Sequence, residues 1–226
     1  MPRNDRLRPY VILNAAMSLD GKIATYSGDS RMSSLEDLRR VHRLRASVDG
    51  IMVGFRTLIV DDPKLTVNYA KGPHPSRIIV DSNAETPLES YVVRTARRVP
   101  TLIAVTSKAS DKRTEALRNK GVSVLLCGTR PLVSLKILMK TLGKLGLRRI
   151  LLEGGGTLNW SMLHNGLVDE VRVAITPRIL GGVKAVSLAE GEGSRLVRDA
   201  VKLKLLDTAR YGPDLVVRYK ALGSSR

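Results

Sequence analysis

The sequence predicts an α/β protein: a central, mostly parallel mixed sheet flanked by helices, with an antiparallel edge at the C-terminus. Three observations predict it. Short apolar runs bounded by turn residues alternate with capped amphipathic segments from residue 10 to about residue 163. Runs such as Val11-Ile12-Leu13 and Ile150-Leu151-Leu152 are apolar at every position, as strands covered on both faces are. Two last runs flank Gly212-Pro213 with no helix between them, a hairpin pattern. No repeat, linker or composition break appears, so one domain is expected over residues 1–226.

Taken in order, Pro9–Met17 predicts a central first strand. It runs into Ser18-Leu19-Asp20-Gly21-Lys22, where Asp-Gly signals a turn. A polar loop follows through Arg31. Ser33-Ser34-Leu35-Glu36 reads as a capping box with Ser33 as N-cap. Leu35, Leu38, Val41 and Leu44 then recur at helical spacing to about Ala46, with Arg39, Arg40 and Arg43 facing out and Arg45 in the last turn. Val48–Gly54 is a second strand. Phe55–Asp62 makes one or two helical turns stopped by Pro63, and Lys64–Asn68 is extended. Strands follow at Ser76–Asp81, Thr101–Thr106 and Val122–Leu126. A helix from Ser110 ends at Gly121, and Ser134 caps another with Leu135, Leu138, Leu142 and Leu145 on one face. Asp169–Ile175 alternates as a half-exposed strand, and Val201–Leu206 pairs with Leu215–Tyr219.

Composition excludes several classes. The chain is 43% hydrophobic but only 4% aromatic, so its core is built of Leu, Val and Ile. One cysteine, Cys127, excludes an internal disulfide and a cysteine-cluster metal site. With His42, His74 and His164 scattered, no metal is expected. Met1–Arg6 has no signal-peptide apolar core and no apolar run is long enough to span a membrane, so a cytoplasmic protein without membrane contact is expected. The net charge of +17 favours anions. Its basic residues are dispersed and aromatics are few, which favours small anions over a specific nucleic-acid partner.

One stretch carries chemistry on its face. The apolar run ending at Leu152 meets Glu153, then Gly154-Gly155-Gly156, then Thr157 and an amphipathic segment. Strand, glycine turn and helix N-terminus together suit a diphosphate, because glycines admit close approach and free helix amides favour an anion. An ordinary left-handed turn is the alternative. The motif is not the G-x-G-x-x-G of the standard dinucleotide fold. A carboxylate ending a buried strand also needs a partner, whether a ligand or a salt bridge inside the fold.

Three stretches in order then resemble a known family: Asn14–Ala24, Val53–Val67 and Leu152–Leu158. The chain resembles the riboflavin-biosynthesis reductases, homologous to the C-terminal half of the bacterial RibD/RibG bifunctional enzyme, and most of all their stand-alone archaeal and fungal type. The resemblance runs from about Tyr10 to Tyr219. It implies a dihydrofolate-reductase-like fold, NADPH (with NADH possible) lying across the strand carboxyl ends, and a homodimer. It implies reduction of the ribosylamino group of a phosphorylated ribosylaminopyrimidine at ribose C1′.

The same resemblance assigns residues. Gly154, Gly155, Gly156 and Thr157 match the diphosphate turn, and Thr57 and Asp61 match other dinucleotide contacts. Ser82 is expected near the adenosine end, or as a turn-capping hydroxyl. Arg45 and Ser30 match substrate contacts, and Leu65 and Asn68 line the pocket. Asn14, buried in the first strand, reads the pyrimidine edge or satisfies backbone. On the chemistry of the step rather than the resemblance, Lys22 is the candidate donor to the reacting group or an exposed turn lysine, with Asp20 forming its turn or orienting it, and Glu153, beside the glycine turn, meets a ribose hydroxyl or a pyrimidine amine or forms a salt bridge inside the fold. Trp160 is expected in the core, His164 at the surface, and His42 in packing or at the surface.

Overall fold

The computed structural model describes residues 8–222; Met1–Arg6, on which the signal-peptide expectation rests, lie outside them. The chain runs β1 (Tyr10–Ser18), β2 (Lys22–Ala24), α1 (Leu35–Arg45), β3 (Gly50–Gly54), α2 (Phe55–Asp61), β4 (Ser76–Val80), α3 (Tyr91–Arg94), β5 (Thr101–Val105), α4 (Asp111–Asn119) and β6 (Ser123–Leu126). It continues α5 (Leu135–Lys144), β7 (Arg149–Leu152), α6 (Gly156–His164), β8 (Glu170–Thr176), β9 (Val186–Ser187), a 3-10 turn at Val197–Asp199, β10 (Leu203–Tyr211) and β11 (Asp214–Ala221).

Nine strands form one sheet in the order β10-β11-β8-β1-β7-β3-β4-β5-β6. Neighbours from β8 to β6 are parallel, and β11 is antiparallel to both β8 and β10. The mixed sheet with its antiparallel C-terminal strands is the predicted one. Alternate residues of the apolar runs serve two cores. Val11, Leu13, Met52 and Leu152 pack with Leu138 and Leu142 of α5 and Met162 of α6. Ile12, Ile51, Val53 and Leu151 pack on the other face with Leu44 of α1, Leu58 of α2 and Leu117 of α4. Each such side chain stabilises the fold by roughly 1.5–3 kcal/mol, which is why these strands carry no polar face.

Several expectations are corrected. The N-cap of α1 is Ser34, whose Oγ accepts the N–H of Asp37 at 3.2 Å, and not Ser33. Arg40 faces the sheet rather than water and is 8% exposed. β8 is mostly buried rather than half exposed, because it lies between β1 and β11 and its acid is answered inside the fold. Glu170 takes Arg172 Nε at 2.7 Å and Arg218 Nε at 2.9 Å. Lys64–Asn68 is an irregular segment, not an extended strand, and Leu65 in it has φ +49°. Trp160 is only half-buried, whereas His164 is exposed as expected. No helix among the described residues is long and apolar enough to cross a membrane.

For the site, what matters is the strand order. With β7 between β1 and β3, the turns after β7, β3 and β4 open side by side at the carboxyl edge of the sheet. Parallel α/β sheets bind ligands at that edge.

Candidate active site

A cleft of about 350 Å³ opens at this edge. Six residues singled out from the sequence meet there: Ser30, Arg45, Thr57, Asp61, Leu65 and Glu153. Arg31, Val53 and Pro63 complete its wall. Asn14, Lys22, Ser82 and Asn68 do not line it.

Arg45, at the end of α1, and Glu153, directly after β7, face each other across it. Arg45 Nε donates to Oε1 and Nη2 to Oε2, both at 2.8 Å, a two-pronged ion pair. Their side chains are only 18% and 10% exposed. Burial alone would lower the pKa of the Arg45 guanidinium, but the attraction of Glu153 and the bonds to it outweigh burial and raise it. The carboxylate at the strand end therefore finds its partner inside the fold, in the very arginine the resemblance gave to the substrate. Each carboxylate oxygen retains a lone pair for a hydroxyl or amine in the cleft.

Asp61, expected against the dinucleotide, shares the cleft wall with Ser30. Partial enclosure, and secondarily Asp29, raises its carboxyl above the ordinary range, while a hydrogen bond with Ser30 opposes the shift. Thr57, on α2, lines the cleft and also lies over the glycine turn: a Cβ added to Gly155 would sit 3.2 Å from Thr57 Oγ1.

The three glycines serve three different ends. Gly154 has φ +98°, and its carbonyl accepts Gly54 N–H at 2.8 Å. Gly155 is the N-cap of α6, and the Gly154–Gly155 peptide is cis. Gly156 makes room for the chain itself, since a Cβ there would lie 2.5 Å from the Ser187 carbonyl and 2.9 Å from Glu190 Cγ. Asn159 N–H is bonded to the Gly155 carbonyl, which leaves the earlier amides of α6 without an intrahelical carbonyl. Thr157 is exposed on that first turn. Thr57 lies against Gly155 of this turn, and the segment from Ser187 to Glu190 lies against Gly156.

Lys22 is held elsewhere. β2 pairs with β9, and Lys22 Nζ donates to Ser187 Oγ at 2.9 Å. Asp20 does not orient it. Its carboxylate accepts the N–H groups of Leu180 and Gly181 at 3.0 and 2.7 Å, and with the Ser18 hydroxyl foremost these bonds hold its pKa at about 2. Ser187 thus touches Lys22 through its hydroxyl and the glycine turn through its carbonyl. Neither Ser187 nor Asn159 stood out in the sequence. Asn159 is 1% exposed and donates to the Leu188 carbonyl at 2.9 Å, tying β9 to α6. Its signal was a polar residue of poor helix propensity between Leu158 and Trp160.

The remaining predicted residues have internal partners. Asn14 Oδ1 accepts Arg40 Nη2 at 3.0 Å beneath α1. Ser82 Oγ, after β4, accepts Val133 N–H at 3.1 Å, the turn-capping alternative. Asn68 is exposed, and its backbone N–H is bonded to His42 Nδ1 at 2.9 Å.

The RibD C-terminal domain family matches residues 9–217. A protein of Methanothermobacter thermautotrophicus named 2,5-diamino-6-ribosylamino-4(3H)-pyrimidinone 5′-phosphate reductase is 50% identical over 220 residues, covering 96% of this chain and all of the relative. The structure of Acinetobacter baumannii RibD is 26% identical with a TM-score of 0.81, covering 96% of this chain and 58% of that one. Dihydrofolate reductase from Enterococcus faecalis is 11% identical with a TM-score of 0.52 over 94% of this chain, a likeness of fold alone.

Proposed function

The chain belongs to the RibD C-terminal domain family, and from that premise we propose that it reduces 2,5-diamino-6-ribosylamino-4(3H)-pyrimidinone 5′-phosphate to the ribitylamino form with NADPH, in cytoplasmic riboflavin biosynthesis. It is a reductase of nicotinamide-cofactor type on the dihydrofolate-reductase-like fold. One observation carries the reading of the site: Thr57 is a wall common to the Arg45–Glu153 cleft and the glycine turn, so ligands in the two places lie against each other.

The residues present fit a nicotinamide dinucleotide. The free amides at the start of α6 and the Thr57 hydroxyl suit its diphosphate. Loops after β5 and β6 close on Ser82, through Thr106 N–H to the Ser82 carbonyl at 3.0 Å and Val133 N–H to its hydroxyl. They carry Lys108 and Arg130, cations suited to the 2′-phosphate of NADPH over NADH. When bound, the cofactor supplies a hydride.

The chain's own residues prepare the other partner. Arg31 at the cleft rim is the candidate cation for a 5′-phosphate, which would have to compete with Asp29 for its exposed guanidinium, now bonded there at 2.9 and 3.2 Å, and the surplus positive charge draws the anion in. Glu153, fixed by Arg45, accepts from ribose hydroxyls. Opening the ribosylamine ring gives an imine at C1′. Reduction adds the hydride to that carbon and a proton to the imine nitrogen, and the candidate donor is Lys22, which lies off the cleft wall with its ammonium on Ser187 and would have to reach the substrate from there. Leu65 lines this cleft, whereas Asn14, bonded to Arg40, and the exposed Asn68 lie off its wall.

We further propose a homodimer through β10, an edge strand whose Leu203, Leu205 and Leu206 are all exposed. Light scattering should give twice the chain mass, and Leu205→Lys with Leu206→Lys should give the monomer. No specific nucleic-acid partner is proposed. The test of function is direct. Purified protein should consume NADPH only when the ribosylaminopyrimidine phosphate is added, and the product should gain two hydrogens. Turnover of dihydrofolate instead, or of neither, overturns the assignment.

A further inference from the structure

Two imidazoles hold the same short stretch of backbone. His42 Nδ1, on α1, accepts the N–H of Asn68 at 2.9 Å, and His74 Nδ1, in the loop before β4, accepts that of Val67 at 3.2 Å. Arg45, three residues beyond His42 on the same helix, donates from Nη1 to the Thr66 carbonyl at 3.1 Å. Three consecutive residues are thus fixed through their backbone by side chains from two other parts of the chain. The stretch needs holding. It follows a turn in which Asp62 and Leu65 have φ of +36° and +49°, a region that side chains disfavour. Leu65 is 2% exposed and forms part of the cleft wall.

We infer that His42 and His74 are positioning residues of the cleft: their unprotonated Nδ1 atoms set the path of Thr66–Asn68, and through it the place of Leu65 and of the Arg45 fork that clasps Glu153. The inference rests on the cleft being the substrate site. It requires both rings to carry their proton on Nε2, because a proton on Nδ1 would set donor against donor. The groups facing His42 are Arg45 on its own helix, Glu153 from the turn after β7, and the Tyr69 ring, edge-on at 4.9 Å between centroids. His74 stands on the neighbouring amide. Burial and then Arg45 push the His42 imidazole below its ordinary value, with Glu153 acting against them, so the acceptor form is favoured.

The test separates positioning from bulk folding and from the functional reading. His42→Asn keeps an acceptor oxygen near the Nδ1 position at every pH, whereas His42→Leu removes it. We expect His42→Leu to raise KM for the pyrimidine phosphate about tenfold, the equivalent of one lost buried hydrogen bond, while kcat and the KM for NADPH stay within about twofold. The Val67 and Asn68 amides should then exchange with solvent faster, a reading that needs no substrate. His42→Asn should keep KM near the parent value and lose the parent's rise of KM in acid. His74→Asn should act the same way but more weakly, since His74 is exposed. Unchanged amide exchange and KM in His42→Leu overturn the proposal, and so does an equal loss of kcat and both KM values. If His42→Leu does not fold, the His42→Asn profile decides, and an acid limb like the parent's overturns it. If the parent protein does not turn over the pyrimidine phosphate while His42→Leu still frees the two amides, the positioning stands and the functional reading falls.

Discussion

Helix α1 carries two shielded arginines whose surroundings differ completely. Arg40 lies under the helix, with Nε on Asp37 at 2.7 Å, Nη2 on Asn14 at 3.0 Å and its guanidinium 5.8 Å from the Tyr211 ring centre. Its partners come from its own helix, from the middle of β1 and from the C-terminal hairpin, and none of them opens on a cleft. Arg45 lies at the helix end with Glu153 at the carboxyl edge, and the pair faces the cleft. Both arginines are charged, shielded and hydrogen-bonded. What separates structural charge from site charge here is position along the strands: Arg40 meets β1 at Asn14, four residues before its end, whereas Arg45 meets the residue that follows β7.

The strongest way to test that contrast is to remove Glu153. Glu153→Ala leaves the Arg45 guanidinium shielded without its counter-charge, which should cost about 3–5 kcal/mol of stability. Turnover should also fall by about 10²-fold, through loss of a fixed group aimed at the substrate. Replacing both partners, Arg45→Met with Glu153→Leu, should restore most of the stability and none of the turnover. Urea unfolding alongside steady-state kinetics reads both quantities. A double variant that recovers activity would make the pair structural, like its neighbour.

Next in size is the sealed arginine. Arg40→Ala strands the Asp37 carboxylate, 0% exposed, and should destabilise by about 3 kcal/mol. Activity per folded molecule should not change. Should Arg40→Ala reduce turnover as Glu153→Ala does, the line drawn between the two arginines disappears.

A smaller effect is expected at the glycine turn. Gly156→Ala drives a methyl against the Ser187 carbonyl, a backbone atom with little room to yield, and overpacking of this kind costs about 1–3 kcal/mol. Because Ser187 also holds Lys22, the displacement should raise the KM for NADPH and lower kcat together. Gly166→Ala is the control in open space, although its φ of +65° still carries backbone strain.

How much of this was legible follows from the range of each interaction. β1 and β7 could be read because continuous apolar runs report burial on both faces, a local property of the sequence. The glycine turn could be read as a cradle, but the reason for Gly156 could not, since it lies in a strand of two residues more than twenty positions away. The sequence does not distinguish the α1 cap, because Ser33 and Ser34 each have an acid three residues on, Glu36 and Asp37, and only the tertiary bonds of Ser34 to Asp214 and Tyr211 decide between them. The burial of Arg40 is not visible locally, because neither Asn14 nor Tyr211 is near it in sequence. Thr57, Asp61, Leu65 and Glu153 of the cleft lie in the ordered motifs, Ser30 and Arg45 come only from the wider resemblance, and the pairing of Arg45 with Glu153 across 108 positions is visible in neither.

The smallest expected effect is a dependence on pH confined to the cleft side of α1. Burial and Arg45 depress the pKa of His42 in the folded protein, so the unfolded chain takes up its proton first as the solution is acidified. Stability contributed by the neutral ring is therefore complete above the ordinary histidine pKa of about 6.5 and is lost as pH falls through the lower folded value. Asp61 acts with the opposite sign further into acid: its raised carboxyl means that the folded form binds its proton more readily, so acidification there favours the fold. Unfolding midpoints between neutral and mildly acid pH should accordingly decline in the parent protein, flatten in His42→Asn and steepen at the acid end in Asp61→Asn. Arg40→Met combined with Asp37→Asn, on the sealed side, should shift the whole curve without changing its slope in the histidine range. If that slope moved instead, the two faces of α1 would be electrostatically one site.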